Sequence, residues 1–102
     1  MMTGADLAGA LHRACLDSRL STLTGRQIAM LVECDRQDWL MHALAQRMRV
    51  SVTVISRGAD ALIADRLLER VRQAGNKRKV WLRITKEGRS AVETMIFGGD
   101  ET

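Results

Sequence analysis

From Arg70 to Ile84 the apolar residues fall on a period of two, around a Gly75-Asn76 pair, and cations fill the places between them. Gly and Asn both tolerate positive φ, so the pair is a candidate two-residue hairpin loop. The register that follows sets Ala74 opposite Lys77, Arg72 opposite Lys79, Val71 opposite Val80, Arg70 opposite Trp81 and Leu67 opposite Ile84. One face then carries Leu67, Val71, Val80, Leu82 and Ile84. The other carries Arg70, Arg72, Lys79, Trp81 and Arg83, and Glu69 is the exception, on the apolar side. A ribbon of this kind is buried on one face only, so something helical must cover it.

The rest of the chain supplies helices. Thr3 to about Arg19 has Leu7, Ala10, Leu11 and Ala14 at helical spacing, with Thr3 as cap and Asp6 three residues on. After a break at Ser21–Leu23, Thr24 and Gln27 form a capping box for a second helix with Ile28, Leu31 and Val32 inward. Asp35–Asp38 reads as a loop, and Trp39 lies in a short strand, packing on the core. A third helix spans Leu40 to Met48. Arg49-Val50-Ser51 is a tight connection, and Ser51 caps a fourth helix that reaches about Asp65. Ala45, Val50 and Ile55 have helix-turn-helix spacing: a small residue for close approach, a plug in the turn, and an apolar residue packing back. Thr85 caps a last helix, with Ala91, Val92, Met95 and Ile96 inward, and Gly98-Gly99 ends it. A helix-turn-helix followed at once by a basic hairpin is a winged helix. The expected fold is therefore mostly α with a small β-hairpin wing. It forms one domain over 1–102, with the helix-turn-helix at about 40–65, the wing at about 67–84 and flanking helices at about 3–19 and 86–97.

Charge is distributed unevenly. Seven Lys/Arg and no Asp or Glu lie between Arg70 and Lys86, while the remainder holds nine Lys/Arg against twelve Asp/Glu. A local basic patch on a chain of net charge +4 points to nucleic acid or another anionic surface. No apolar run approaches the roughly 18 residues of a membrane span, and the N-terminus has no signal-peptide pattern, so a cytoplasmic protein is expected. Cys15 and Cys34 read as buried structural thiols; with only His12 and His42 beside them they make no metal-site spacing. No nucleophile–base pair, Gly-rich phosphate loop or paired carboxylates stand out, so neither an enzyme nor a cofactor is expected.

The order of these pieces resembles the MarR family of bacterial transcription regulators. The resemblance runs over roughly residues 23 to 90. Leu23-Thr24 is similar to the opening of that family's second helix, and Leu44-Ala45 with Val50-Ser51 to its helix-turn-helix. Ile55-Ser56-Arg57 with Asp60 and Leu62 resembles its recognition helix, and Leu82 to Gly88, LRITKEG, its Leu-Thr-x-x-Gly exit from the wing. The resemblance implies a DNA-binding regulator, usually a repressor, acting as a homodimer through its N- and C-terminal helices. Several positions depart from the pattern. Arg66 and Arg49 stand where glycines are usual, Gly58 lies inside the recognition helix, Val54 replaces a Thr, and Lys77-Arg78-Lys79 replaces an Asp-x-Arg-Arg wing. The flanking helices are short, which leaves a small-molecule effector site open.

On this reading the recognition helix offers Ser51, Val52, Thr53, Ser56 and Arg57 to the major groove. Arg57 suits a guanine edge, Ser56 and Thr53 bases or phosphates, and Val52 a thymine methyl. Asn76, Lys77, Arg78 and Lys79 in the wing suit phosphates or a minor groove. The competing readings are an intrahelical Arg57–Asp60 ion pair and a wing whose charges only keep an edge soluble. Trp81 on the outer wing face is placed either to hold Arg70 by a cation–π contact or to pack on a helix or a second subunit. A winged helix used only for protein–protein contact, or a small-molecule sensor, are the other function classes.

Overall fold

The computed structural model describes residues 4–97, the side chains of residues 5–7 and of Lys77 excepted. The chain runs α1 (Gly4–Leu16), α2 (Gly25–Arg36), β1 (Trp39–Leu40), α3 (Met41–Met48), α4 (Val52–Ala64), β2 (Leu68–Gln73), β3 (Asn76–Ile84) and α5 (Lys86–Phe97). The three strands form one antiparallel sheet in the order β1-β3-β2. This is a winged helix, as the sequence predicts. The caps predicted at Thr3 and at Gly98-Gly99, and the inward role of Leu7, lie outside the described residues.

Caps fix where the helices begin. Thr24 Oγ1 accepts from the Gln27 amide at 3.1 Å while Gln27 Oε1 accepts from the Thr24 amide at 2.9 Å, the reciprocal box expected from their spacing. Ser51 Oγ accepts from the Val54 amide at 3.2 Å. Thr85 Oγ1 accepts from the Gly88 amide at 2.9 Å and itself donates to the Arg66 carbonyl at 2.6 Å. One hydroxyl thus starts α5 and ties it to the end of α4.

Two helices stop in the same way. Arg49 and Arg66 both occupy the left-handed region, at φ 60° and 62°. After α3 the Val50 amide donates to the Ala45 carbonyl and the Arg49 amide to the Gln46 carbonyl; after α4 the Leu67 amide donates to Leu62 and the Arg66 amide to Ile63. Each is a Schellman motif, which favours glycine at the left-handed residue. The two positions singled out as missing glycines are therefore the two where glycine would relieve strain.

The core runs through every helix and the inner face of the sheet: Met30, Leu31, Leu44, Ile55, Leu62, Leu68, Leu82 and Val92 are all 1 % exposed or less. Ala45 and Ile55 are buried and Val50 packs against them, as helix-turn-helix spacing requires. Gly58 lets α2 and α4 approach: a Cβ there would stand 2.8 Å from Met30 Sδ. At Gly88 a Cβ would fall onto the Leu67 carbonyl oxygen, which explains the glycine that follows the wing.

The wing departs from its expected register. The two-residue loop is Ala74-Gly75, closed by Gln73 opposite Asn76, not Gly75-Asn76. Only Gly75 has positive φ, 79°, where the expected turn needs two such residues. The Asn76 side chain instead accepts from the Arg78 amide at 3.1 Å, and residues 77–79 bulge from β3 before Arg72 pairs with Val80. Pairing beyond the bulge is displaced by one: Arg70 faces Leu82, Val71 faces Trp81, Glu69 faces Arg83 and Leu68 faces Ile84. Val80, Leu82 and Ile84 keep their inward face. On β2, however, Leu68 is the inward residue and Val71 lies outward beside Trp81, while Leu67 is buried just before the strand. The shift also removes the Glu69 anomaly, because Glu69 now shares the outer face with Arg83.

Candidate nucleic-acid interface

Helix α4 turns Ile55, Ala59 and Leu62 into the core, leaving Ser51, Val52, Thr53, Arg57 and Asp60 exposed and Ser56 half-buried. Val52 is 45 % exposed on this face. The sequence-predicted recognition residues therefore form one continuous surface on the first two turns of the helix.

The Arg57–Asp60 ion pair, the competing reading for Arg57, does not form. Asp60 Oδ1 accepts instead from Arg70 Nη2 at 2.6 Å, and the same nitrogen lies 3.4 Å from the Ser56 carbonyl. The register shift makes this possible by turning Arg70 to the α4 side of β2. It also separates Arg70 from Trp81, whose indole NH lies 3.5 Å from Gln73 Oε1 while Val71 and Leu40 flank it on the adjacent strands. Of the two placements left open for Trp81, the contact with Arg70 does not form, and Arg70 instead clasps α4 through Asp60. Sequence reasoning missed Asp60 in this role; its only signal, a carboxylate on an exposed helix face near a basic strand, depends on knowing the register.

The carboxylates of the middle of the chain are occupied away from that surface. Glu33 binds Arg47 at 3.1 Å, Asp35 binds Arg89 at 3.3 Å and Asp38 binds Arg83 at 3.1 Å. Among the described residues Arg26, Arg57, Arg78 and Lys79 take part in no ion pair. The bulge displays Arg78 and Lys79 exposed, with Asn76 spent on the turn; the Lys77 side chain lies outside the described atoms. A second cationic spot was not foreseen. A groove of about 300 Å³ between α2 and α4 is lined by Thr24, Arg26, Gln27, Val54, Arg57 and Gly58.

The flanking helices pack on each other. Arg13 of α1 donates from Nε to the Met95 carbonyl at 2.8 Å and from Nη2 to Ile96 at 3.3 Å, satisfying carbonyls at the end of α5 and placing a cation at its negative pole. Ala10 and Ala14 are buried in this contact region, but Leu11, Leu16 and Phe97 are 52 %, 72 % and 77 % exposed. Cys34 is buried as expected, and desolvation, with Asp38 and Glu33 nearby, pushes its thiol up to about 12. Cys15 is exposed, which corrects the expectation that both thiols are buried; it shares the outer side of α1 with the exposed Leu11. No helix of the described residues is long and apolar enough to cross a membrane.

Solved structures share this architecture. The transcriptional regulator BldR from Sulfolobus solfataricus is 24 % identical, with a TM-score of 0.70 over 89 % of this chain and 63 % of its own. RV1404 from Mycobacterium tuberculosis is 22 % identical, with a TM-score of 0.77 over 87 % of this chain and 60 % of its own. A MarR mutant from E. coli, solved with operator DNA, is 17 % identical, with a TM-score of 0.72 over 89 % and 63 %. The chain thus spans about three-fifths of the length of these proteins. No curated protein matches it. The MarR family model matches residues 21–79, which take in α2, the helix-turn-helix and the wing up to its bulge, and the chain belongs to the MarR family.

Proposed function

We propose that this chain is a DNA-binding transcriptional regulator, acting as a homodimeric repressor. The first two turns of α4 enter the major groove with Ser51, Val52, Thr53, Ser56 and Arg57. The bulged wing lays Asn76, Lys77, Arg78 and Lys79 along phosphates or the adjacent minor groove. The observation that carries this reading is the Arg70–Asp60 clasp. It fastens the wing to the exposed face of α4 and occupies the carboxylate that would otherwise pair with Arg57. The wing and the exposed face of α4 are thereby joined by a direct contact. The operator-bound MarR mutant of similar fold supports the docking mode. Exposed Leu11, Leu16 and Phe97 on the flanking helices support a dimer, which would match a palindromic site.

Fluorescence anisotropy of the purified protein on a generic 25-base-pair duplex, titrated across salt, tests the proposal. Neutralising four to seven phosphates gives a log–log slope of roughly −4 to −6. Absence of binding at low salt would reject it and leave a protein-partner role for the basic wing.

A further inference from the structure

The groove between α2 and α4 is rich in hydrogen-bond donors and is lined by no carboxylate. Arg26 and Arg57 contribute two guanidiniums, neither engaged in an ion pair among the described residues. Thr24 and Gln27 are committed to the capping box through their acceptor atoms: Thr24 Oγ1 receives the Gln27 amide and Gln27 Oε1 receives the Thr24 amide. Each oxygen has thus taken up one of its acceptor sites, while the hydroxyl proton and the carboxamide NH2 remain to be donated. Val54 and Gly58 complete the wall, and no carboxylate lines it. Two cations sharing a groove repel each other, and among the described residues no carboxylate pairs with either, since the nearest acid along α4, Asp60, is taken by Arg70.

We infer that this groove holds a phosphate group of the DNA backbone, bound jointly by Arg26 and Arg57. The inference rests on the DNA-binding reading above and refines it. A phosphodiester has two non-bridging oxygens, and each guanidinium presents a planar fork that matches them. The groove opens along the first two turns of α4, where a helix in the major groove is bordered by backbone. Arg57 is then an anchor that fixes the docking angle, not a reader of guanine. Base discrimination falls to Ser51, Val52, Thr53 and Ser56. Arg26, outside the helix-turn-helix itself, becomes part of the interface.

The test compares wild type, Arg26→Gln, Arg26→Lys and Arg57→Gln by anisotropy across salt on a panel of unrelated 25-base-pair duplexes, with circular dichroism as the check on folding. Arg26→Gln and Arg57→Gln should each flatten the log–log salt slope by about one. Each should weaken binding by a similar factor on every duplex, and Arg26→Lys should recover the slope. Wild-type slopes in both glutamine variants would overturn the inference, as would an Arg57→Gln variant that keeps its slope but changes its sequence preference. A parallel NMR titration follows the arginine Nε–Hε signals with inorganic phosphate alone. Shifts at Arg26 and Arg57 with duplex but not with micromolar phosphate support the backbone assignment; tight binding of free phosphate overturns it. Should wild type bind no duplex, the regulator reading fails by itself, and the titration carried to millimolar phosphate then judges the groove: Arg26 and Arg57 signals that stay silent even there overturn the anion site as well.

Discussion

Arg70 reaches across from β2 to place its Nη2 2.6 Å from Oδ1 of Asp60 on α4, and that one contact both locks the wing to the recognition helix and clears Arg57 of its intrahelical partner. The pair is partly exposed, so its direct contribution to stability is small, about 0.5 kcal/mol. Its effect on DNA binding should be larger. Arg70→Ala removes one tie between wing and α4 and leaves a bare carboxylate on the surface proposed to meet phosphates. We expect Arg70→Ala to weaken duplex binding about tenfold, by analogy with the cost of losing a positioned charge pair. The same substitution in an Asp60→Ala background should cost markedly less. A double-mutant cycle read by anisotropy checks this; additive losses would show that the clasp does not couple wing and helix.

The wing itself makes a second prediction. Replacing Lys77, Arg78 and Lys79 together with Ala should flatten the log–log salt slope by roughly 2 to 3, at about 0.9 per phosphate contact. The loss should be alike on every duplex, because phosphates carry no sequence. The bulge leaves Arg78 and Lys79 exposed and free of core contacts, so thermal stability should stay within about 0.5 kcal/mol of wild type. An unchanged slope would mean that the bulge points away from the DNA.

Much of this was legible in the sequence, because local rules and tertiary structure agree. Thr24 with Gln27, Ser51 and Thr85 announce three helix starts, and each makes its predicted side-chain bond. The Ala45–Val50–Ile55 spacing announces the helix-turn-helix. What failed was the register of β2. Leu67 and Leu68 are adjacent and both buried, so either satisfies an alternating pattern, and only the bulge chooses between them. That bulge depends on Asn76 bonding the Arg78 amide, a local competitor to strand pairing that a turn rule based on Gly75-Asn76 overlooks. The Asp60–Arg70 pair was hidden behind the same error. Arg26 was hidden for another reason: its role depends on how closely α2 packs on α4, which Gly58 and Met30 decide.

Glycine belongs at Arg66. An L-residue in the left-handed region costs roughly 1–2 kcal/mol, partly offset by the greater unfolded freedom of glycine. Arg66 is exposed and makes its helix-ending bonds through its backbone. Arg66→Gly should therefore raise stability by about 0.5 to 1 kcal/mol, while Arg66→Val should lower it. Urea unfolding midpoints would show this, and a Gly variant less stable than wild type would imply that the Arg66 side chain holds the α4–β2 junction.

Gly88 gives the opposite case. Its missing Cβ is what allows α5 to lie against the Leu67 carbonyl, and backbone cannot step aside as the end of a side chain can. Gly88→Ala should cost at least 2 to 3 kcal/mol through forced displacement of α5, although alanine is the better helix former. Gly58→Ala should cost less, since the obstacle there is the flexible thioether of Met30. Reversed rankings in thermal melts would refute the close approach of α5.

The two thiols should behave as different chemical species. Burial first, then the charges of Asp38 and Glu33, raise the Cys34 thiol to about 12, whereas Cys15 is exposed on α1. A chromogenic disulfide reagent at pH 8 should label one cysteine quickly and the second only on unfolding. Cys15→Ser should remove the fast phase and leave the slow one. The sign of the pH dependence follows from the raised pKa of Cys34. The thiol stays neutral in the folded chain while the unfolded chain ionises near 8.5, so folding is undisturbed below that pH. Stability should then fall as pH climbs from about 8.5 towards 12, by up to roughly 1.4 kcal/mol per pH unit from this group. Cys34→Ala gives up this slope along with some packing. A wild-type stability curve that runs parallel to that of Cys34→Ala between pH 8 and 10 would place the thiol in contact with water and contradict its burial.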